Sequence, residues 1–141
     1  MYTPFLAGQK LTADLLNTRL LELVMDWTDL DVIGSYSANG AAATATPQMR
    51  IVRELGTLRW DFKGRINTTG VTPSVTTTLF TFDGDHLVAQ EEGFQAYAAG
   101  SIHYGGRLGF MTNGNLTLSV PSASNAPTSV WLTGKTIYAP Q

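Results

Sequence analysis

Apolar residues recur at two different periods along this chain, and the change divides it. From Thr12 to Leu30, the residues Ala13, Leu16, Leu20, Leu23, Trp27 and Leu30 follow one another at spacings of three and four. This is the seam of an α-helix over about two and a half heptads. Thr12 suits the N-cap, Asp14 suits the first turn, and Gly34 lies beyond the end. Leu15, Leu21, Val24 and Met25 widen the apolar arc, leaving Asp14, Thr18, Glu22 and Asp26 as the polar stripe. A helix this apolar around its circumference must be buried on several sides, against its own domain's sheet or against symmetry mates. The segment 1–34 therefore reads as an N-terminal helical arm for docking or oligomerisation, with Leu16, Leu20, Leu23, Trp27 and Leu30 as its contact residues. Residues 35–48 are small and uncharged without a helical period, and read as an extended linker.

From Met49 onward the period is two. In Thr57–Ile66, Leu58, Trp60, Phe62 and Ile66 face one way and Thr57, Arg59, Asp61, Lys63 and Arg65 the other, which predicts an antiparallel strand with one wet face. Met49–Leu55 is its expected partner, turning at Gly56. Further strands are expected at Val75–Phe82, Phe94–Tyr104, Gly106–Thr112, Asn115–Pro121, Val130–Leu132 and Thr136–Tyr138. Asn113-Gly114 suits a two-residue type I′ hairpin, and Thr133-Gly-Lys separates the last two strands. Short strands at this turn spacing predict a mainly β chain, with residues 49–141 forming an antiparallel, jelly-roll-like β-sandwich behind the helical arm.

Composition narrows the function. Charged residues make up 14% of the 141 and apolar ones 43%, the opposite of a disordered chain. A net charge of -2 offers no electrostatic footprint for nucleic acid or an anionic membrane. No run approaches the roughly 18 apolar residues of a membrane helix, so the expectation is a soluble chain without membrane insertion. With Cys at 0, disulfides, cysteine zinc sites and thiol nucleophiles are excluded.

Candidate chemistry is sparse. Asp83-Gly84-Asp85-His86 superficially offers metal ligands, but a calcium loop needs more carboxylates and a terminal bidentate Glu, so a turn is expected. His103, beside Tyr104, reads as a surface or interface histidine. Glu91 and Glu92 are adjacent and point to opposite faces of an extended chain, a poor arrangement for a glycosidase pair. No nucleophile elbow, phosphate loop or dinucleotide fingerprint is present. The expectation is a non-enzyme with no cofactor and no metal. Among rings able to stack on sugars (Trp60, Tyr97, Tyr104, Trp131 and Tyr138), Trp60 falls on the inward face of its strand. Trp131, out of phase with Val130 and Leu132, is the better surface ring.

The opening Pro4-Phe-Leu-Ala-Gly-Gln-Lys-Leu-Thr-Ala-Asp-Leu-Leu-Asn17 resembles a helix-starting segment found in virion proteins of tailed bacteriophages. Leu55-Gly-Thr-Leu-Arg-Trp-Asp-Phe-Lys-Gly-Arg65, Thr78-Leu-Phe-Thr-Phe82, Asn113-Gly-Asn-Leu-Thr-Leu-Ser119 and Val130-Trp-Leu-Thr-Gly-Lys-Thr-Ile-Tyr-Ala-Pro140 are similar, in the same order, to strands of the C-terminal sandwich of those proteins. The family's apolar-Pro-x-Gly-Tyr-x-Pro loop is replaced here by Phe82-Asp-Gly-Asp-His86. The resemblance implies a homotrimeric virion component, assembled in the host cytoplasm. Its arm would dock on other virion proteins and its sandwich would face outward, in a tail-tip, fibre or receptor-binding role. Its partners would then be copies of itself, other virion proteins and a host cell-surface glycan. A capsid decoration or head-fibre protein and a carbohydrate-binding module are the alternatives. Recognition is expected on loops around Asp83, Asp85, His86 and Asn125 and at Trp131.

Overall fold

The period-two segments become strands. The computed structural model describes residues 21–37, 45–99, 103–122 and 127–139, with backbone only at 97–99, 103, 104 and 139. Its strands are β1 Leu21–Asp29, β2 Gly34–Tyr36, β3 Gln48–Glu54, β4 Thr57–Lys63, β5 Arg65–Asn67 and β6 Thr77–Phe82, followed by β7 Glu92–Ala99, β8 His103–Phe110, β9 Asn115–Ser119, β10 Ser129–Trp131 and β11 Thr136–Ala139. Among the described residues the only helical element is a 3-10 turn, Leu30–Val32. The chain is mainly β, and every strand pairing is antiparallel. One sheet has the order β1-β3-β4-β11 and the other β2-β6-β9-β8-β7-β10-β5.

Alternation decides which side chains meet. Ile51, Trp60, Phe62 and Ile137 of the four-stranded sheet and Phe80, Phe82, Leu108, Phe110 and Leu116 of the seven-stranded sheet share one buried cluster. Rings touch between the sheets, Trp60 to Phe82 at 6.1 Å between centroids and Phe62 to Phe110 at 5.0 Å. Such tilted pairs add stability beyond the area they bury. Arg59 and Asp61, one residue out of phase, point away from this core, as the alternation of β4 predicts.

The expected helix is corrected. Residues 21–29 are extended and pair with β3 from Leu21↔Glu54 to Asp29↔Gln48. The physical reason is that Leu21, Leu23, Met25 and Trp27 also alternate with Glu22 and Asp26, so this stretch carries a period of two as well as a helical spacing. Val24, Trp27 and Thr28 favour the extended form, and β3 supplies a ladder that local propensity cannot anticipate. Register shifts between Leu23 and Met25 and between Met25 and Thr28 re-aim the strand. Consequently Leu23, Trp27 and Leu30 do not share one seam. Leu30 is 0% exposed in the core, Leu23 is 55% exposed, and Trp27 lies against Arg50 and Lys63. Leu16 and Leu20 lie outside the described residues.

The expected division into arm, linker and sandwich shifts for the same reason. Ile33 joins the core, and β2 pairs with β6 as Gly34↔Phe82 through Tyr36↔Phe80. Residues 21–36 therefore belong to the sheets, where an arm and part of a linker were expected. The type I′ hairpin is also relocated. Leu55 and Gly56, with φ of 50° and 84°, form the two-residue link between β3 and β4. Between β8 and β9 the loop is longer. Asn113 does not have positive φ there, and its side-chain Oδ1 accepts from the Asn115 amide at 3.0 Å.

Tyr36 reports on the β2 docking. Its ring meets Phe80 edge-on at 5.0 Å, and burial, followed by the nearby charges of Asp31 and Asp29, pushes its phenol up to about 12. An unfolded tyrosine ionises near pH 10, so the neutral phenol favours the folded state below that pH. This contribution is lost as the pH rises from about 10 through about 12. In an absorbance titration at phenolate wavelengths, Tyr36→Phe should remove the phenolate component that appears near pH 12.

Candidate functional site

The Asp83–His86 turn follows β6 directly, and within it Asp83 and His86 partner each other. The Asp83 carboxylate accepts the Asp85 amide at 3.2 Å and contacts His86 Nδ1 at 2.5 Å, while the His86 amide donates to the Asp83 carbonyl at 3.1 Å. The His86 hydrogen bond holds the Asp83 carboxyl below its ordinary value. The imidazole is half-buried, 6.4 Å from the Trp60 ring centroid. Asp85 remains exposed. The arrangement is an Asx-type turn. No group of three or more His, Asp or Glu side chains among the described residues is placed to hold a metal. Asn125 lies outside the described residues, and His103 is placed only by its backbone, opposite Ala99.

The outer face of the four-stranded sheet is charged, and its arginines are matched to carboxylates. Arg50 Nε meets Asp61 at 2.9 Å, and Arg59 spans Glu54 at 2.6 Å and Asp61 at 3.0 Å. Burial tends to lower the Arg59 guanidinium, but its hydrogen bond to Asp61, with the charges of Asp61 and Glu54, carries the net shift upward. Trp27 is covered by Arg50 and Lys63, 4.9 and 4.2 Å from its ring centroid. Each carboxylate of β3 and β4 on this face is satisfied by an arginine.

The outer face of the seven-stranded sheet differs. Ala96, Leu108 and Leu118 are buried, so their neighbours Gln95, Arg107 and Ser119 point outward. The register aligns these three side chains in one row, Gln95↔Arg107 and Arg107↔Ser119, across β7, β8 and β9. Small residues keep this surface low. A Cβ added at Gly93 would lie 3.4 Å from Arg107 Nε, and one at Gly105 would lie 3.3 Å from Gln95 Nε2. Both long side chains thus lie flat over neighbouring glycines instead of standing off the sheet.

Three hollows adjoin along this face. The largest, about 820 Å³, is lined by Gln95, Gly105, Arg107 and Ser119 among others. A second, of about 340 Å³, shares Gln95 and Gly105 and adds Lys135. A third, of about 360 Å³, shares Arg107 and Ser119 and adds Glu91 and Thr117. The shared linings join them into one trough. Lys135 Nζ donates to the Gln95 carbonyl at 2.9 Å, at a point where the β7–β10 pairing, which covers Ala98 and Ala99, has ended.

Trp131 belongs to the same face. Val130 and Leu132 are fully buried on either side of it, while Trp131 is 40% exposed with the Arg65 guanidinium 4.8 Å from its ring centroid. Of the residues expected to recognise a ligand, Trp131 therefore lies on the same face as the trough without lining any of the three hollows, and the Asp83–His86 turn is held by its own hydrogen bonds. Gln95, Arg107 and Lys135 were not singled out by the sequence reading. The signal that could have found them is the interleaving of Gly93, Gly105 and Gly109 with polar residues on strands that otherwise alternate with apolar ones.

No protein-family model, curated protein or solved structure matches the chain.

Proposed function

We propose that the chain is a structural protein of a tailed-bacteriophage virion, non-catalytic, with a tail-tip or fibre position and a host-attachment role. The N-terminal residues, Leu16 and Leu20 among them, attach it to other virion proteins, and the two sheets form an outward, jelly-roll-like sandwich within a homotrimer. The order of the quoted motifs along the chain supports this reading. So does the ring-to-ring contact between the two antiparallel sheets.

The observation that carries the reading is a contrast between two surfaces. Leu21, Leu23, Val24 and Leu55 are exposed together where the β1–β3 ladder begins, immediately after the N-terminal residues. Burying a large apolar side chain is worth roughly 1.5–3 kcal/mol, so such a cluster suits a permanent contact. The trough, by contrast, offers an amide, a guanidinium and hydroxyls, suited to reversible recognition. The same trough favours a second reading, a free-standing carbohydrate-binding module.

Gold-labelled antibody on purified particles separates these readings. Label at the tail tip, together with a trimer mass by light scattering, is the expected result. Label over the head points to a capsid decoration or head-fibre protein, and particles without label overturn the virion assignment.

A further inference from the structure

We infer that the trough on the outer face of the seven-stranded sheet binds an acidic glycan chain, one whose sugars carry carboxylates. The inference deepens the attachment reading and rests on it. Its first support is charge. Arg65, Arg107 and Lys135 all lie along this face, and none of them forms an ion pair among the described residues. On the other sheet the arginines of β3 and β4 are matched to carboxylates. Glu91, in the third hollow, is the acidic residue among the described residues that line the trough. Three cations without ion pairs on one face of a chain of net charge -2 are a local feature, not an overspill of general basicity.

The second support is the kind of polar group present. A guanidinium presents a planar fork of donors that matches a carboxylate with two parallel hydrogen bonds, which an ammonium cannot do. Arg107 occupies the middle of the row, between Gln95 and Ser119, and lines two of the three hollows. Sugar hydroxyls both donate and accept. The Gln95 amide does both, and so do the hydroxyls of Ser119 and Thr117. Trp131, exposed and stiffened by Arg65, adds a flat apolar surface of the kind that packs on a sugar ring.

The third support is shape. The trough is built from three adjoining hollows that together cross β7, β8 and β9, and so suits an extended chain better than a single ring. Nucleic acid is the competing polyanion. Its affinity comes from neutralising many closely spaced phosphates, and three separated cations on an acidic chain supply little of that.

The test uses the 141-residue chain in a surface-binding assay against immobilised polysialic acid, polygalacturonate, neutral dextran and single-stranded DNA. Retention on at least one carboxylated chain, and not on dextran or DNA, is the expected result. Arg107→Ala should weaken that retention about tenfold or more, and Arg107→Lys should recover only part of it because the fork is lost. Arg50→Ala, on the opposite sheet, should bind like the parent. Because Arg107 is exposed, its variants should keep the parent's thermal transition, which confirms that they fold. No binding to either carboxylated chain, equal binding by Arg107→Ala, or DNA held as tightly overturns the inference. Particle labelling reads the virion assignment separately, so either conclusion can fail without the other.

Discussion

A fragment beginning at Pro47 is expected to be unfolded, whereas one beginning at Leu21 should fold. The shorter fragment lacks β1, which runs the full length of β3, and β2, which forms the edge of the seven-stranded sheet beyond β6. It also lacks Leu30 and Ile33, at 0% and 4% exposure, and Met25, which packs against the same cluster. Cutting one such buried aliphatic side chain back to alanine typically costs about 2–5 kcal/mol, and here two are removed whole. Backbone bonds go as well: the Leu30 amide to the Pro47 carbonyl, the Asp83 amide to the Ile33 carbonyl and the Ser37 amide to the Leu79 carbonyl, each at 3.0 Å. Against a typical margin of about 5–15 kcal/mol, the sum leaves little or nothing. Near-ultraviolet circular dichroism and thermal melts decide the matter. A cooperative melt of the Pro47 fragment within a few degrees of the Leu21 fragment would show that residues 21–36 are dispensable to the core.

That expectation reverses the natural reading of the sequence, and the reversal has a physical cause. The strand β4 was legible because its alternation is strict and its partner adjoins it, so local pattern and tertiary pairing agree. In Leu21–Asp29 the two periods coincide, and the choice is made by β3, about twenty residues away and invisible to a local window. Leu30 shows the same limit. It completes a helical spacing of three, yet it is buried because a 3-10 turn swings it beneath the sheets.

The site divides in the same way. Trp131 was legible as a surface ring because it breaks phase between two buried residues. The Asp83–His86 turn was legible as a turn, because Asp-Gly between strands needs no partner to be one. The trough was not legible, since Gln95, Arg107 and Ser119 come from three strands and form a row only once the register is set. Register is a property of the folded sheet, fixed by which faces are buried.

Replacing Gly64 with alanine should be among the most damaging single changes in the chain. Here β4 ends in the four-stranded sheet and β5 begins in the seven-stranded one, while β10 and β11 make the return crossing beside them. The ribbon bends over the edge and stays hydrogen-bonded through the bend. The Leu132 amide donates to the Gly64 carbonyl at 2.9 Å, the Gly64 amide to Thr133 Oγ1 at 3.0 Å, and the Phe62 amide to the Lys135 carbonyl at 3.0 Å. Gly64 sits at φ 93°, and a Cβ there would collide with the Thr46 carbonyl and lie 2.8 Å from Pro47 Cα. Neither obstacle is a flexible side chain, and the Arg65 amide bond to the Ala45 carbonyl at 2.9 Å holds that segment in place. The left-handed backbone costs an alanine about 1–2 kcal/mol, and overpacking adds about 1–3 kcal/mol. At about 3–5 °C per kcal/mol for a chain of this size, the melting temperature should fall by roughly 6–25 °C. Gly134 provides the internal control: its φ is 82°, but a Cβ there would meet nothing within 4 Å. Gly134→Ala should therefore show the backbone cost alone, about 1–2 kcal/mol. Equal losses at the two positions in paired thermal melts would mean that the contact with residues 46 and 47 carries no energy. The corner would then be held by backbone conformation and the β5–β10 ladder, not by close packing.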